Sequence, residues 1–339
     1  MSRFSWSIAA LGLGALAGCL PTSVAEAQVQ SSQVDQAQQV QRERALQVPS
    51  QSVNAADPSL YPGEEADTGN QIILGAAPGS RWKWIKLTVD SQYFHTSNAF
   101  LSATHVTGTW LLVNTLEAEL DAPAIAVPYG QLLTQLGYQY QWFDYGLGGA
   151  KDNFSNLDFD AATLYLEGQY ALPDNWAIFG NLSYGRLLND GNGFDEFYKE
   201  LVPSLRFEKT FVIRQNLQAS AEYSANYRFT DEAPYPGEGR RCNNRTDQAV
   251  DIGLTWQVTA KVDVRPFYRF QYSYYPDFFA GSNRNDFLHT LGCAADYSFN
   301  SWSSVRVFLT YELLDTDAAV AGDYRKLDVG GGVSAGFSF

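Results

Sequence analysis

The stretch VGGGVSAGFSF, Val329 to Phe339, decides the fold. Successive side chains of an extended chain point to opposite sides, so Val329, Gly331, Val333, Ala335, Phe337 and Phe339 share one face, and Gly330, Gly332, Ser334, Gly336 and Ser338 share the other. One face is greasy; the other is small and polar. A soluble edge strand with this pattern invites aggregation. The segment makes sense beside a neighbouring strand and against a medium that accepts apolar surface.

The same period of two runs from Trp82 to Phe339. Val250, Ile252, Leu254, Trp256 and Val258 alternate with Asp251, Thr255, Gln257 and Thr259, and the next run sets Val262, Val264, Tyr268, Phe270, Tyr272 and Tyr274 against Asp263, Arg265, Arg269, Gln271 and Ser273. Such runs number about 12, within the range of transmembrane barrels. Every second junction is short: Phe299 to Trp302, Ala260-Lys261, Lys209 to Asn216, and Leu172 to Asn175. The alternate junctions are longer and polar, as in DEAPYPGEGRRCNNR from Asp231 to Arg245. Short turns at one end and long loops at the other are the asymmetry of outer-membrane barrels. Alternation over ten or more residues exceeds the roughly 5 to 6 of a soluble sandwich strand. The expected fold is therefore all-β, a transmembrane antiparallel up-and-down barrel of about 12 strands over residues 81–339.

Upstream, the apolar FSWSIAALGLGALAG after Met1-Ser2-Arg3 is too short for a spanning helix and reads as an export signal. Two processing points compete. Cleavage after Ala25-Glu26-Ala27 makes residues 1–27 a signal peptide; Leu16-Ala17-Gly18-Cys19 resembles a lipobox, which makes residues 1–18 a lipoprotein signal and Cys19 the lipidated residue. Residues 28–80 are crowded with Gln and then with Pro, Gly and acids, a composition expected of a flexible, disordered periplasmic tail, with a short helix around Val34 to Leu46 as the alternative. A net charge of -14 argues against nucleic acid as a partner. Cys242 and Cys293 are too few for a disulfide framework, and His95, His105 and His289 lack ligand spacing, so neither a metal nor a cofactor is expected.

The closing GVSAGFSF resembles the C-terminal sorting signal of Gram-negative outer-membrane β-barrel proteins. The resemblance implies insertion by the barrel assembly machinery, outer-membrane lipid around the barrel, and, with the strand count, both the tail and the C-terminus in the periplasm. A periplasmic partner of the tail is a further expectation. With apolar positions toward lipid, the lumen is lined by Arg206, Glu222, Asp251, Arg265, Arg269, Asp296, Arg306 and Glu312, among other charges in which acids outnumber bases. Such a lumen favours cations or small polar solutes over anions. Hairpin symmetry about Ser301 sets Asp296 opposite Arg306, with Arg265 on the next strand. This cluster either constricts an open channel or braces a closed structural or anchoring barrel. A third reading is enzymatic: His95-Thr96-Ser97-Asn98 resembles the His-x-Ser-Asn motif of outer-membrane phospholipase A and lipid A deacylases, implying a lipid hydrolase with His95 as base and Ser97 as nucleophile. Trp82, Trp84, Trp176 and Trp302 at one end, and Trp110 and Trp142 at the other, suit the aromatic girdles of two membrane interfaces.

Overall fold

The computed structural model describes residues 30–37, 84–104, 106–147, 154, 157–189, 195–232, 241–278, 282–318 and 322–339. The expected signal peptide, Cys19, Trp82, His105 and residues 38–83 lie outside them. Thirteen strands follow one another: β1 (Ile85–Thr96), β2 (Thr109–Asp121), β3 (Ile125–Val127), β4 (Gly130–Tyr145), β5 (Phe159–Leu172), β6 (Trp176–Asn189), β7 (Glu196–Arg214), β8 (Leu217–Glu232), β9 (Arg245–Thr259), β10 (Val262–Tyr275), β11 (Arg284–Ser298), β12 (Ser303–Thr316) and β13 (Tyr324–Ser338). All neighbours are antiparallel. β1 pairs with both β2 and β13, and β2 pairs with β4, so twelve strands close on themselves; β3 is a short annex that pairs with β4 alone.

Closure is what permits strands in hydrocarbon, because every backbone N–H and C=O must find a partner inside the protein. The seam shows it. Leu87 lies opposite Phe337 and Thr96 opposite Asp328, and the Phe339 N–H donates to the Ile85 carbonyl at 2.9 Å. The short turns fall where the spacing predicts them, except that β7 runs on to Arg214 and leaves a tighter turn before Leu217. Between β5 and β6 the chain reverses through Asp174 and Asn175, both at φ 58°, the left-handed pair that a tight hairpin requires and that Asp and Asn tolerate. At the opposite end Asp317 ties the loop after β12 to β11, accepting from the Asn285 side chain at 2.6 Å and its backbone N–H at 2.7 Å; these donors hold its carboxyl below the usual range.

Leu164, Leu166, Leu182, Leu205, Ile252, Leu291, Val307 and Val333 point outward and are exposed, forming the apolar belt. Trp84, Trp176, Trp256 and Trp302 lie toward the turn side, and Tyr93, Trp110 and Trp142 toward the loop side. These are the two girdles. Among the described residues no helix is long and apolar enough to cross a membrane.

The greasy and glycine-rich faces of β13 point as the alternation predicts, and the glycines have a packing role. Gly330 lies opposite Phe94 on β1 and Phe308 on β12, and the two rings meet above it with centroids 5.6 Å apart. A Cβ on Gly330 would lie 2.1 Å from the Phe94 Cβ. Tyr165 lies over Gly137 and Phe267 over Gly292 in the same manner. Each ring shields the backbone of a residue that has no side chain of its own. Gly330→Ala is expected to overpack the seam and destabilise the barrel by about 1–3 kcal/mol. By contrast Gly180→Ala, whose Cβ would meet nothing within 4 Å, should stay within about 0.5 kcal/mol. Guanidinium unfolding in detergent micelles, followed by tryptophan fluorescence, checks both.

Candidate functional site in the lumen

Charged side chains on the inward-facing positions are organised as ion pairs across neighbouring strands. On β7 to β9, the Arg228 guanidinium donates to Glu200 at 3.0 Å and to Asp247 at 2.9 Å, and Arg245 donates to Asp247 at 3.1 Å. On β12 and β13, the Lys326 ammonium lies 3.0 Å from Glu312 and 3.4 Å from Asp328. Nearer the turn side, Arg265 pairs with Asp296, and Arg306 sits 3.7 Å from Asp90. The register places Asp296 directly opposite Arg306, as hairpin symmetry requires. Arg206 approaches Glu222 at 3.7 Å and lies 3.7 Å above the Phe179 ring, while Arg269 pairs with Asp251 at 3.0 Å.

One row of the ladder is acidic. Glu208, Glu222 and Asp251 are direct cross-strand partners on β7, β8 and β9. Like charges facing each other repel. The repulsion is relieved by Arg206 beside Glu222 and Arg269 beside Asp251, and by water, since these carboxylates keep part of their surface accessible. Across the lumen Tyr165 reaches over Gly137 to place its hydroxyl 2.8 Å from both Glu117 and Glu119; it can donate to one at a time.

The loop-side half is different. Residues 30–37 form a helix, α1, which lies inside the barrel. Its Asp35 carboxylate accepts from Arg228 at 2.9 Å and lies 3.6 Å from Arg245. Its Gln36 amide accepts from Lys326 at 2.6 Å and donates to Asp328 and, at 3.2 Å, to Thr310. Val34 and Ala37 join an apolar cluster with Phe94, Leu111, Val113, Phe143, Phe159, Ala161 and Leu187 of the wall, and with Ala99, Phe154 and Leu157 of the loops above. Residues 30–37 of the segment that composition marks as a tail therefore lie inside the barrel. An isolated helix shorter than about 12–15 residues is marginal in water. The lumen supplies what α1 lacks, an apolar wall on one side and paired charges on the other.

The wall corrects a second expectation. Lumen-facing positions were expected to be polar, yet on β1, β2, β4, β5 and β6 the inward residues near the loop side include Phe94, Leu111, Val113, Phe143, Phe159, Ala161 and Leu187, interspersed with Gln92, Thr96, Thr109 and Gln141. The signal was in the sequence: Trp110-Leu111-Leu112-Val113 is greasy on both faces, the mark of a strand buried on both sides. The fit of α1 is incomplete. Gln30 Oε1 and Gln33 Nε2 are buried without a hydrogen-bond partner, each costing about 1–3 kcal/mol. A gap of about 30 Å³ remains beside Ser31 and Val34, against Thr163, Ser183, Gly185 and Tyr198. That volume holds a water or two and no solute.

His95 and Ser97 lie at the loop-side end of β1. The His95 ring faces outward, edge-on to Trp110 at 5.4 Å, and the Ser97 hydroxyl accepts from the Leu327 N–H at 2.8 Å. The structure does not bring the two into hydrogen-bond contact, and Glu117 faces the lumen, away from His95. Asn98 is buried and braces the first loop through the Ser102 and Arg325 carbonyls. His289 pairs with the Tyr268 hydroxyl on the outer face; Cys293 is exposed there, and Cys242 is buried.

No family model matches the chain, and no curated protein matches it. Solved structures do. An outer membrane channel from Pseudomonas putida F1 is similar at 11% identity and a TM-score of 0.46, over 77% of this chain and 100% of that one. The KdgM porin, in complex with disordered oligogalacturonate, is similar at 9% identity and a TM-score of 0.39, over 74% and 99%. The β domain of the Bordetella autotransporter BrkA is similar at 14% identity and a TM-score of 0.39, over 75% and 100%. The chain is a closed twelve-stranded antiparallel β-barrel with an apolar outer belt.

Lys326 is 1% exposed and is held by two carboxylates and an amide. Lys326→Met would leave Glu312 and Asp328 buried without their cation, and is expected to destabilise the barrel by about 3–5 kcal/mol. A lowered midpoint of thermal unfolding in detergent measures it.

Proposed function

We propose that this barrel resides in the outer membrane, with its turn side toward the periplasm, and forms a channel for small polar or cationic solutes. The acidic row of Glu208, Glu222 and Asp251 carries the reading. These side chains face the turn-side half of the lumen, and they keep part of their surface accessible. Walls of low dielectric focus the field of such a row, which concentrates cations and opposes anions. Arg206 and Arg269 moderate the field and hold the carboxylates in place. Arg306, buried beside Asp90, adds a charge to the turn-side wall, and its removal should alter conductance.

The buried loop-side half supports a second reading, a closed barrel that anchors or braces an envelope assembly. Planar bilayers separate the two. Under a KCl gradient the channel reading expects ion steps whose reversal potential favours K⁺. Glu222→Gln combined with Asp251→Asn should lower the K⁺ over Cl⁻ permeability ratio by about twofold or more, and Arg306→Ala should change the unitary current. Unaltered selectivity in the double variant would remove the acidic row from the mechanism.

A further inference from the structure

The loop-side lumen contains a site built for a short two-faced helix, and α1 occupies it. We propose that α1 is a removable gate, latched by Asp35 and Gln36, whose departure opens the loop-side half of the channel; the inference rests on the channel reading above.

Three observations carry it. First, the match is two-sided. Val34 and Ala37 face the apolar wall of β1, β2, β4, β5 and β6, while Asp35 and Gln36 face the charged wall of β8, β9, β12 and β13. Second, the wall does not need the helix to neutralise its charges. Without Asp35, Arg228 still has Glu200 and Asp247, and Arg245 still has Asp247; without Gln36, Lys326 still has Glu312 and Asp328. A buried cation stripped of its one counter-ion would hold a plug permanently. Here departure strands no charge on the wall, and Asp35 regains water.

Third, α1 is held loosely on its own account. The amide groups of Gln30 and Gln33 are buried with Oε1 and Nε2 unpartnered, and a gap adjoins Ser31 and Val34. Release satisfies both amides with solvent. Docking is thus a balance between the latch and the apolar contacts on one side, and hydration with regained chain entropy on the other. The vacated lumen would be lined by Glu200, Asp247, Asp286, Glu312 and Asp328 against Arg228, Arg245, Arg284 and Lys326, five acids to four bases. It would therefore continue the cation preference of the acidic row below.

Single-channel recording tests the gate on the full chain, on Asp35→Ala/Gln36→Ala, and on a chain lacking residues 30–37. Brief, rare openings are expected from the full chain, an open probability at least several-fold higher from the double variant, and sustained opening at the same unitary conductance from the deletion. The point variants leave the barrel wall untouched, so they guard against a folding defect in the deletion. Equal, non-zero conductance and open probability in all three would overturn the gate and leave the channel standing. Silence of all three, with the heat-modifiable gel mobility of a folded barrel, would overturn both. A nitroxide at Val34→Cys, in a Cys242→Ser/Cys293→Ser background, gives a readout apart from current: the label should be immobilised in the latched chain and sharpen when Asp35→Ala and Gln36→Ala are added. An unchanged spectrum would contradict the latch.

Discussion

A polypeptide in hydrocarbon has no water to satisfy its backbone, and that constraint governs this molecule. Strands meet it only when the ladder has no edge. The pairing of β1 with β13 removes the last two edges, and the rest of the architecture is subordinate to that seam. Alternation turns apolar side chains toward lipid, and the girdles mark where lipid ends. Glycines on β13 let the seam close under the Phe94 and Phe308 rings. The inside of the cylinder is left to be filled with whatever the alternate positions carry.

Those positions solve a second problem. A lumen of twelve strands is too wide for the wall side chains to fill and narrow enough for one helix. The buried charges around the loop-side lumen are brought close in a medium of low dielectric and so are stable only as neighbours of opposite sign, whereas the acidic row nearer the turns keeps part of its surface accessible. Arg228 with Glu200 and Asp247, and Lys326 with Glu312 and Asp328, show the arrangement. On the other arc, Leu111, Val113, Phe143 and Phe159 have no such partners and need apolar cover. α1 serves both arcs at once.

The barrel was legible because its signal is periodic and redundant. The faces of Gln248 to Ala260 and of Val329 to Phe339 could be assigned from alternation alone, and cross-strand neighbours such as Asp296 and Arg306 followed by counting from a turn. What alternation could not convey was the content of the lumen. It sorts residues into two faces and does not say what each face touches; Leu111 and Leu112 are consecutive and greasy, and the inward one is covered by the apolar cluster that α1 and the loop residues complete. The helix was hard to read for a related reason. Gln30, Gln33 and Gln36 have the composition of a solvated tail, and their order comes from the cylinder that surrounds them. Likewise the pairing of Arg228 and Arg245 with Asp35 joins positions far apart in sequence, which no local pattern encodes.

The bond between Phe339 and Ile85 has a kinetic side. It joins the two ends of the cylinder's sequence, so no smaller closed ring can serve as a stable waypoint, and ten intervening staves must find register before either terminal one is protected. Contacts of such long sequence separation form slowly because the loop between them must first be closed. Until then the half-made sheet bears two raw margins and a greasy outer surface, the combination most prone to sticking to other chains. Maturation of this polypeptide is therefore a race between sealing and clumping, and an escort that covers both margins until the final stave arrives would decide it.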